Sequence, residues 1–490
     1  MTSARLEVWT RDDCRQVHHA SLNVLAETGI EIKHAAAREL LAAAGAKVDG
    51  TRVRIGANVV DKALASAPTH FQIKPRPACA GRAGADGAAV AGGAESGAPA
   101  ALPLTPLEMK LGHTYFGTGP DCLYTRDCDT GERRRARLDD VEGMAALCEK
   151  LPNIDFVMSM GLPADVSSDI DDVSQFGAML AGTRKPIVIS SAHDGEPLRT
   201  MREMASLCGE AESFACLTMA SPPLSHDHEA IDKAIVCAEL GVPLVLAPAP
   251  SAGSTGPSSI AGCVVVGNAE VLSGLAVHQL ANPGAPFVYG TGMGAMNMRT
   301  AVDAYVIPES FLGEQAACDL ARHYGLPCWS YAACSDSKIL DEQYALEVGV
   351  TTMLGALSRA TLLHDVGYLE AGLQSSAAGI VLGDEIAGFA RAFLKDVATD
   401  DEALAVEEIN AVGPGGNHLA RPYTRTHHRG FWHPSLIDQT VYDRWHAAGA
   451  TTLRERLDAR TIELRAVPRA HVLGDDVRAQ LAQLIDRHPA

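Results

Sequence analysis

Residues 185–220 read KPIVISSAHDGEPLRTMREMASLCGEAESFACLTMA. KPIVISS and FACLTMA carry apolar residues at successive positions, without the polar alternation of a strand that has one wet face. Between them, LRTMREMASLCG spaces its apolar residues as an amphipathic helix does. Strands buried on both faces and joined by a helix build parallel sheets. The unit recurs along the chain. Comparable apolar runs are TYFG (114–117), DFVMSMG (155–161), VPLVLAP (242–248), PFVYGT (286–291), PCWSYA (327–332) and TLLHDVG (361–367). Helical patterns separate them, among them LDDVEGMAALCEK, EAIDKAIVCAELG and AEVLSGLAVHQLA.

Eight such units predict an α/β protein whose residues 103–400 form a (β/α)8 TIM barrel. A doubly wound open sheet is the alternative, weakened because no GxGxxG follows the first strand. The flanks read differently. Residues 1–74 predict an N-terminal helical unit, with Val17, Leu22, Leu25 and Ile30 at broadly helical spacing. Residues 75–102 are an Ala/Gly-rich low-complexity stretch, expected to be a loop. Residues 401–490 lose the repeat and predict a C-terminal extension of loop and helices packed on the barrel.

Composition limits the function. A chain of 490 residues can bury a large core, and its formal net charge of −19 argues against nucleic acid or an anionic membrane surface as the natural partner. An acidic surface is compatible with cationic substrates. No uniformly apolar run reaches a membrane span, and MTSARLEVWTRDDCRQ lacks a signal-peptide core. Twelve cysteines, none in a CxxC pair, suit free thiols in a reducing cytoplasm.

A barrel places its site at the C-terminal ends of its strands. The residues there are Thr118 and Asp121, Ser159 and Met160, Ser190, Ser191 and His193, then Ser221 to Pro223. Further along come Pro248 to Ser254, Thr291 to Met298, Ser335 to Lys338 and His364 to Glu370. Such a mouth is rich in hydroxyls, glycine and methionine and poor in arginine, so it is not built to clamp phosphate. Neither PSAGSTGPSS nor YGTGMGAMNMRT fits a P-loop, although their small residues would let a bulky planar group approach the backbone. His364 could move a proton or serve as a core residue. Lys338 could form a Schiff base only if desolvated; the neighbouring Asp336 predicts an ion pair instead. The histidines of SHDHE and THHRGFWH lack a third metal ligand at a recognised spacing, so no metal site is expected.

Several stretches resemble the trimethylamine methyltransferase (MttB-like) family, in its branch without pyrrolysine. They are LAETGIEI, DVSQFGAMLAGTRKPIVIS, APAPSAGSTGP, GNAEVLSGLAVHQLANPGAPFVYG, CSDSKILDEQ, HDVGYLEAGLQSS and RGFWHPSLIDQ, in linear order over nearly the whole chain. The resemblance implies a barrel enzyme that moves a methyl group from a methylated amine to the cobalt of a corrinoid held by a separate partner protein. It implies no tightly bound cofactor of its own. Because this chain has only standard residues, a quaternary amine such as a betaine is the expected substrate. A cationic head asks for aromatic rings and carboxylates. On this reading Asp336, His364 and Asp365 are the catalytic candidates. Tyr289, Tyr331, Tyr368, Glu370 and Glu385 are the substrate-binding candidates. The corrinoid is expected at Ser251, Gly253, Ser254, Gly292, Met293 and Gly294. A Schiff-base lyase using Lys338 and a non-catalytic methylamine-binding barrel are the alternatives, and self-association is compatible with either.

Overall fold

The computed structural model describes residues 4–77, 102–467 and 472–488; most of the 75–102 stretch lies outside them. Seven of the eight apolar runs are strands of one parallel sheet. They are β1 (Tyr115–Thr118), β2 (Ile187–Ser190), β3 (Phe214–Thr218), β4 (Leu244–Leu246), β5 (Phe287–Gly290), β6 (Cys328–Tyr331) and β7 (Leu362–Val366). Their order is β1-β7-β6-β5-β4-β3-β2, each pair parallel. Between consecutive strands run helices such as Glu196–Leu207, His228–Leu240, Ile260–Ala281, Pro308–Tyr324 and Glu342–Ser358.

DFVMSMG departs from expectation. It lies between the two edges of the sheet and makes single parallel bridges to each, Gly117 with Phe156 and Val157 with Ile187. A side chain replaces part of the ladder here. The Met158 amide donates to Thr118 Oγ1 at 2.8 Å, and that hydroxyl donates to Met158 O at 3.1 Å. Phe156 also fills the space a side chain at Gly117 would need.

Two apolar layers follow from the alternation of side chains across the strands. One, with Phe156, Met158, Val188, Leu217, Val245, Val288, Trp329 and Leu362, lies on one face of the sheet. An antiparallel hairpin, Phe71–Ile73 with Leu107–Met109, contributes Ile73, Leu107 and Met109 to it. The other layer joins sheet and helices and takes in the N-terminal residues Leu25, Ile32 and Leu41. Ile260–Ala281 is apolar and long enough to cross a bilayer, yet it is mostly buried inside the protein and carries Asn268, Glu270 and His278. It is a core helix.

Candidate functional site at the C-terminal end of the sheet

The ends of β6 and β7 set the site. Tyr331 pairs with His364 and Trp329 with Leu362, so His364 projects over Trp329, where the rings stack at 4.3 Å. Tyr331 lies edge-on to His364 at 6.5 Å, and Tyr305 adds a further ring 5.8 Å from Tyr331. β7 then carries a bulge: Leu363 pairs with Phe116 but Val366 pairs with Thr118. Bulges re-aim side chains beside functional sites. Here Asp365 takes φ 79° and is buried, and its Oδ1 has no hydrogen-bond partner. His364 Nδ1 lies 2.5 Å from that oxygen but at an angle that makes no hydrogen bond.

Neutral groups surround this carboxylate. Burial first, and then the charge of Asp365, pushes Cys122, Tyr305, Tyr368 and Cys334 upward from their ordinary pKa values. The Tyr368 hydroxyl donates to Pro120 O, and its ring occupies the room left by Gly119. Tyr305, Tyr368 and the imidazole of His364 thus stand near one buried carboxylate, with Tyr331 beyond the imidazole.

A second acidic group lies beside the first, at the ends of β1 and β2. Asp121 sits at φ 58°. Water reaches its side chain, yet protein surrounds it; burial, followed by the charges of Asp172 and Asp171, pushes its pKa up to about 6. Asp172 accepts from Ser191 Oγ and from His193 Nδ1 at 2.7 Å. Burial lowers the His193 pKa, but the bond to Asp172 and the charges of both aspartates outweigh it, for a net rise. Burial, followed by the charge of Asp172, raises Asp171, whose Oδ1 accepts no hydrogen bond and lies 3.8 Å from His193 Nδ1. Lys233 donates to Ser191 O close by.

Asp171, Asp172 and His193 have ligand atoms close enough together to hold a metal, as do His34, His228 and Asp232. The second group is chemically committed elsewhere. His34 Nδ1 accepts the Ala37 amide at 3.2 Å, so Nε2 carries the proton it gives to Asp232 at 3.1 Å. A metal on Nε2 would require an imidazolate or the loss of that helix cap.

Other candidates occupy different places. Asp336 is held by the backbone: its two oxygens accept the Tyr305 and Val306 amides, each at 3.1 Å. It positions Tyr305. Lys338 makes no ion pair with the Asp336 carboxylate; exposed, it donates to Asp336 O at 2.8 Å. Nothing encloses it as a Schiff-base lysine requires. Tyr289 turns to the helix layer and donates to Asn268 Oδ1 at 3.0 Å. Glu370 is held in a two-pronged ion pair by Arg133 at 2.8 and 3.0 Å, and Arg133 lies over the Tyr124 ring. Glu385 accepts from Ser435, Leu436 and Ile437, tying down the C-terminal segment.

The glycine loops join a small sheet. Ser251–Ala252 pairs with Gly294–Asn297, which pairs with Val302–Ala304. Ser251 is buried and donates to Asp303, while Met293 is buried and its amide donates to Glu314 Oε1 at 2.7 Å. Burial raises the Glu314 carboxyl far above its usual range; its other oxygen accepts from Ser330 on β6. Gly292 sits against Ala249, Gly294 against Asp303, and Ser254 donates to Ser251 O, while Gly253 lies beside Met296 and the 75 % exposed Met298.

Sequence reasoning missed Trp329, Tyr305, Asp171 and Asp172. Trp329 had a signal, since it precedes Tyr331 by two and must share its face.

The chain matches the family model described as trimethylamine methyltransferase (MTTB) over residues 1–104 and 93–490. It is 29 % identical over 491 residues to a glycine betaine methyltransferase of Desulfitobacterium hafniense, covering 98 % of this chain and 97 % of that one. It is 30 % identical over 482 residues to the trimethylamine methyltransferase MttB of Methanosarcina barkeri, covering 92 % and 89 %. The crystal structure of the hydroxylamine MtmB complex aligns over 98 % of this chain and 89 % of its own, at TM-score 0.51 and 11 % identity, a likeness of fold. The chain therefore belongs to the trimethylamine methyltransferase family.

Proposed function

We propose that this chain takes a methyl group from a quaternary amine such as a betaine and delivers it to a corrinoid carried by a separate protein. The carrying observation is the buried carboxylate of Asp365, whose Oδ1 accepts no hydrogen bond, close to His364, Tyr305 and Tyr368, with Tyr331 edge-on to His364. Aromatic faces and a carboxylate attract a quaternary ammonium without asking it for a hydrogen bond. An anionic oxygen without a donor is costly when buried, so a cation that reaches it is favoured there. The names of the relatives, methyltransferases for glycine betaine and trimethylamine, agree with this reading.

The sheet closes, on this account, as an eight-stranded barrel through the 155–158 run, with the site at its open C-terminal end. A quaternary ammonium leaves as a neutral tertiary amine once its methyl is taken, so no residue need supply a proton. The protein's task is to hold the ammonium with one methyl directed outward and to exclude water from the rings. Reduced cobalt supplies the nucleophile when the carrier docks. Met296, the exposed Met298 and Gly253 fit that acceptor, offering an apolar edge with little bulk to a wide, flat macrocycle. Buried Ser251 and Met293 would act only through the loop they brace.

Mixing the protein with a Co(I) corrinoid and a panel of glycine betaine, proline betaine, carnitine, choline and trimethylamine tests the proposal by the corrinoid spectrum. Methyl–cobalt formation with at least one quaternary amine is expected. Silence across the panel refutes it.

A further inference from the structure

Glu314 lies outside the cation site and bridges two parts of the mouth. It belongs to the helix Pro308–Tyr324 and is buried. Its Oε1 accepts the Met293 amide at 2.7 Å, and its Oε2 lies 2.6 Å from Ser330 Oγ. Met293 opens the segment after β5 that continues to Met296 and Met298, the edge assigned to the acceptor. Ser330 stands on β6 between Tyr331 and Trp329, the ring stacked on His364. One side chain thus ties the acceptor's loop to the strand that carries two rings of the amine's site. The same helix repeats both ties. The Met293 side chain fills the space a Cβ at Gly313 would take, and Phe311 meets Tyr331 edge-on at 5.1 Å.

The neighbours of this carboxyl decide its form. Those that face it are Cys318 on its own helix, Tyr289 on β5, and Cys328 and Tyr331 on β6. Thiols and phenols bring no positive charge, and Arg322, two turns along the helix, is held by Asp319 at 2.6 Å. A buried anion without a cation is costly, so the neutral acid is favoured. The Met293 amide only donates and faces the carbonyl oxygen. With the proton on Oε2 the Ser330 contact reverses, because a hydroxyl both donates and accepts. A glutamine offers the same pair, a carbonyl for the amide and an N–H for the hydroxyl.

We propose that Glu314 is a positioning residue: through these two hydrogen bonds it fixes the acceptor's loop against the ring-bearing strand and so sets the approach of cobalt to the amine's methyl group. The inference rests on the reaction proposed above. Its test is the single-turnover rate with a free Co(I) corrinoid and the quaternary amine that wild type uses fastest, beside calorimetric affinity for that amine. Glu314→Ala should lose at least about thirtyfold in rate while its amine affinity stays within about threefold, since misplaced reactants cost rate and not binding. Glu314→Gln should stay within about threefold of the wild-type rate. Ser330→Ala, a smaller change should Glu314→Ala not fold, should lose about tenfold in rate at unchanged affinity. A wild type that methylates no corrinoid defeats the reaction, and this assignment with it. With an active wild type, the assignment alone falls if Glu314→Ala or Ser330→Ala keeps its rate, or if the loss lies in amine affinity. It falls equally if Glu314→Gln is as slow as Glu314→Ala.

Discussion

On the proposed reading, Asp121 sets cation binding against stability. Its carboxyl titrates near 6 in the folded protein and has an ordinary value of 3.8, so the folded state holds this proton more tightly than the unfolded one. The group therefore adds stability as pH falls from about 6 toward about 4, and costs stability above that window. A bound cation needs the ionised form, so affinity for a quaternary ammonium should fall as pH drops through about 6, by up to about tenfold per unit. Asp121→Asn should raise the melting temperature of the ligand-free protein at pH 7 while lowering affinity and flattening that pH dependence. Calorimetry with glycine betaine and a thermal melt check both; weaker binding together with a lower melting temperature contradicts the assignment. Tyr331→Ala should raise KM or Kd roughly fivefold, as the loss of one cation–π face of about 1 kcal/mol requires. The sequence made Tyr331, His364, Asp365 and Tyr368 legible because all four follow from strand ends. Tyr305, Asp171 and Asp172 were hidden because a loop and a helix start deliver them, and neither reveals in sequence which way it faces.

At the scale of elements, the segment after β6 is a clamp. Asp336 accepts two main-chain amides of the Val302–Ala304 loop's exit, Ser335 Oγ and the Asp336 amide donate to Glu347, and the Glu370 amide donates to Ser337 O. Asp336→Ala leaves two amides unpaired and should cost about 1–3 kcal/mol in a denaturant titration. Its activity should fall through KM, because Tyr305 is released. Lys338→Ala should change stability by less than about 0.5 kcal/mol and leave activity intact; loss of turnover would reopen lysine chemistry. The polar run Ser335 to Lys338 was visible in the sequence as a strand's end, but its partners were not. They are backbone amides some thirty residues earlier, and an amide has no sequence signature. The 155–161 run pairs through single bridges for a similar reason: one hydroxyl, Thr118, takes the place of part of the ladder that its apolar residues imply.

Over the whole molecule, periodicity carried furthest. Eight apolar runs at regular intervals are a global pattern that no single loop can obscure, so seven strands in parallel order follow from them directly. The C-terminal segment 395–456 shows the opposite limit, since it carries no repeat and its short helices bury only Leu436. The central claim concerns an acidic, aromatic mouth that takes a quaternary methylated cation and gives up its methyl group. The most direct measurement is the single-turnover rate of corrinoid methylation with glycine betaine, compared between wild type and Asp365→Asn. The account predicts methyl–cobalt formation with betaine by the wild type and a loss of at least about a hundredfold in the variant, with trimethylamine inactive for both. A variant as fast as wild type, or a wild type that uses trimethylamine and ignores every quaternary amine, would contradict it.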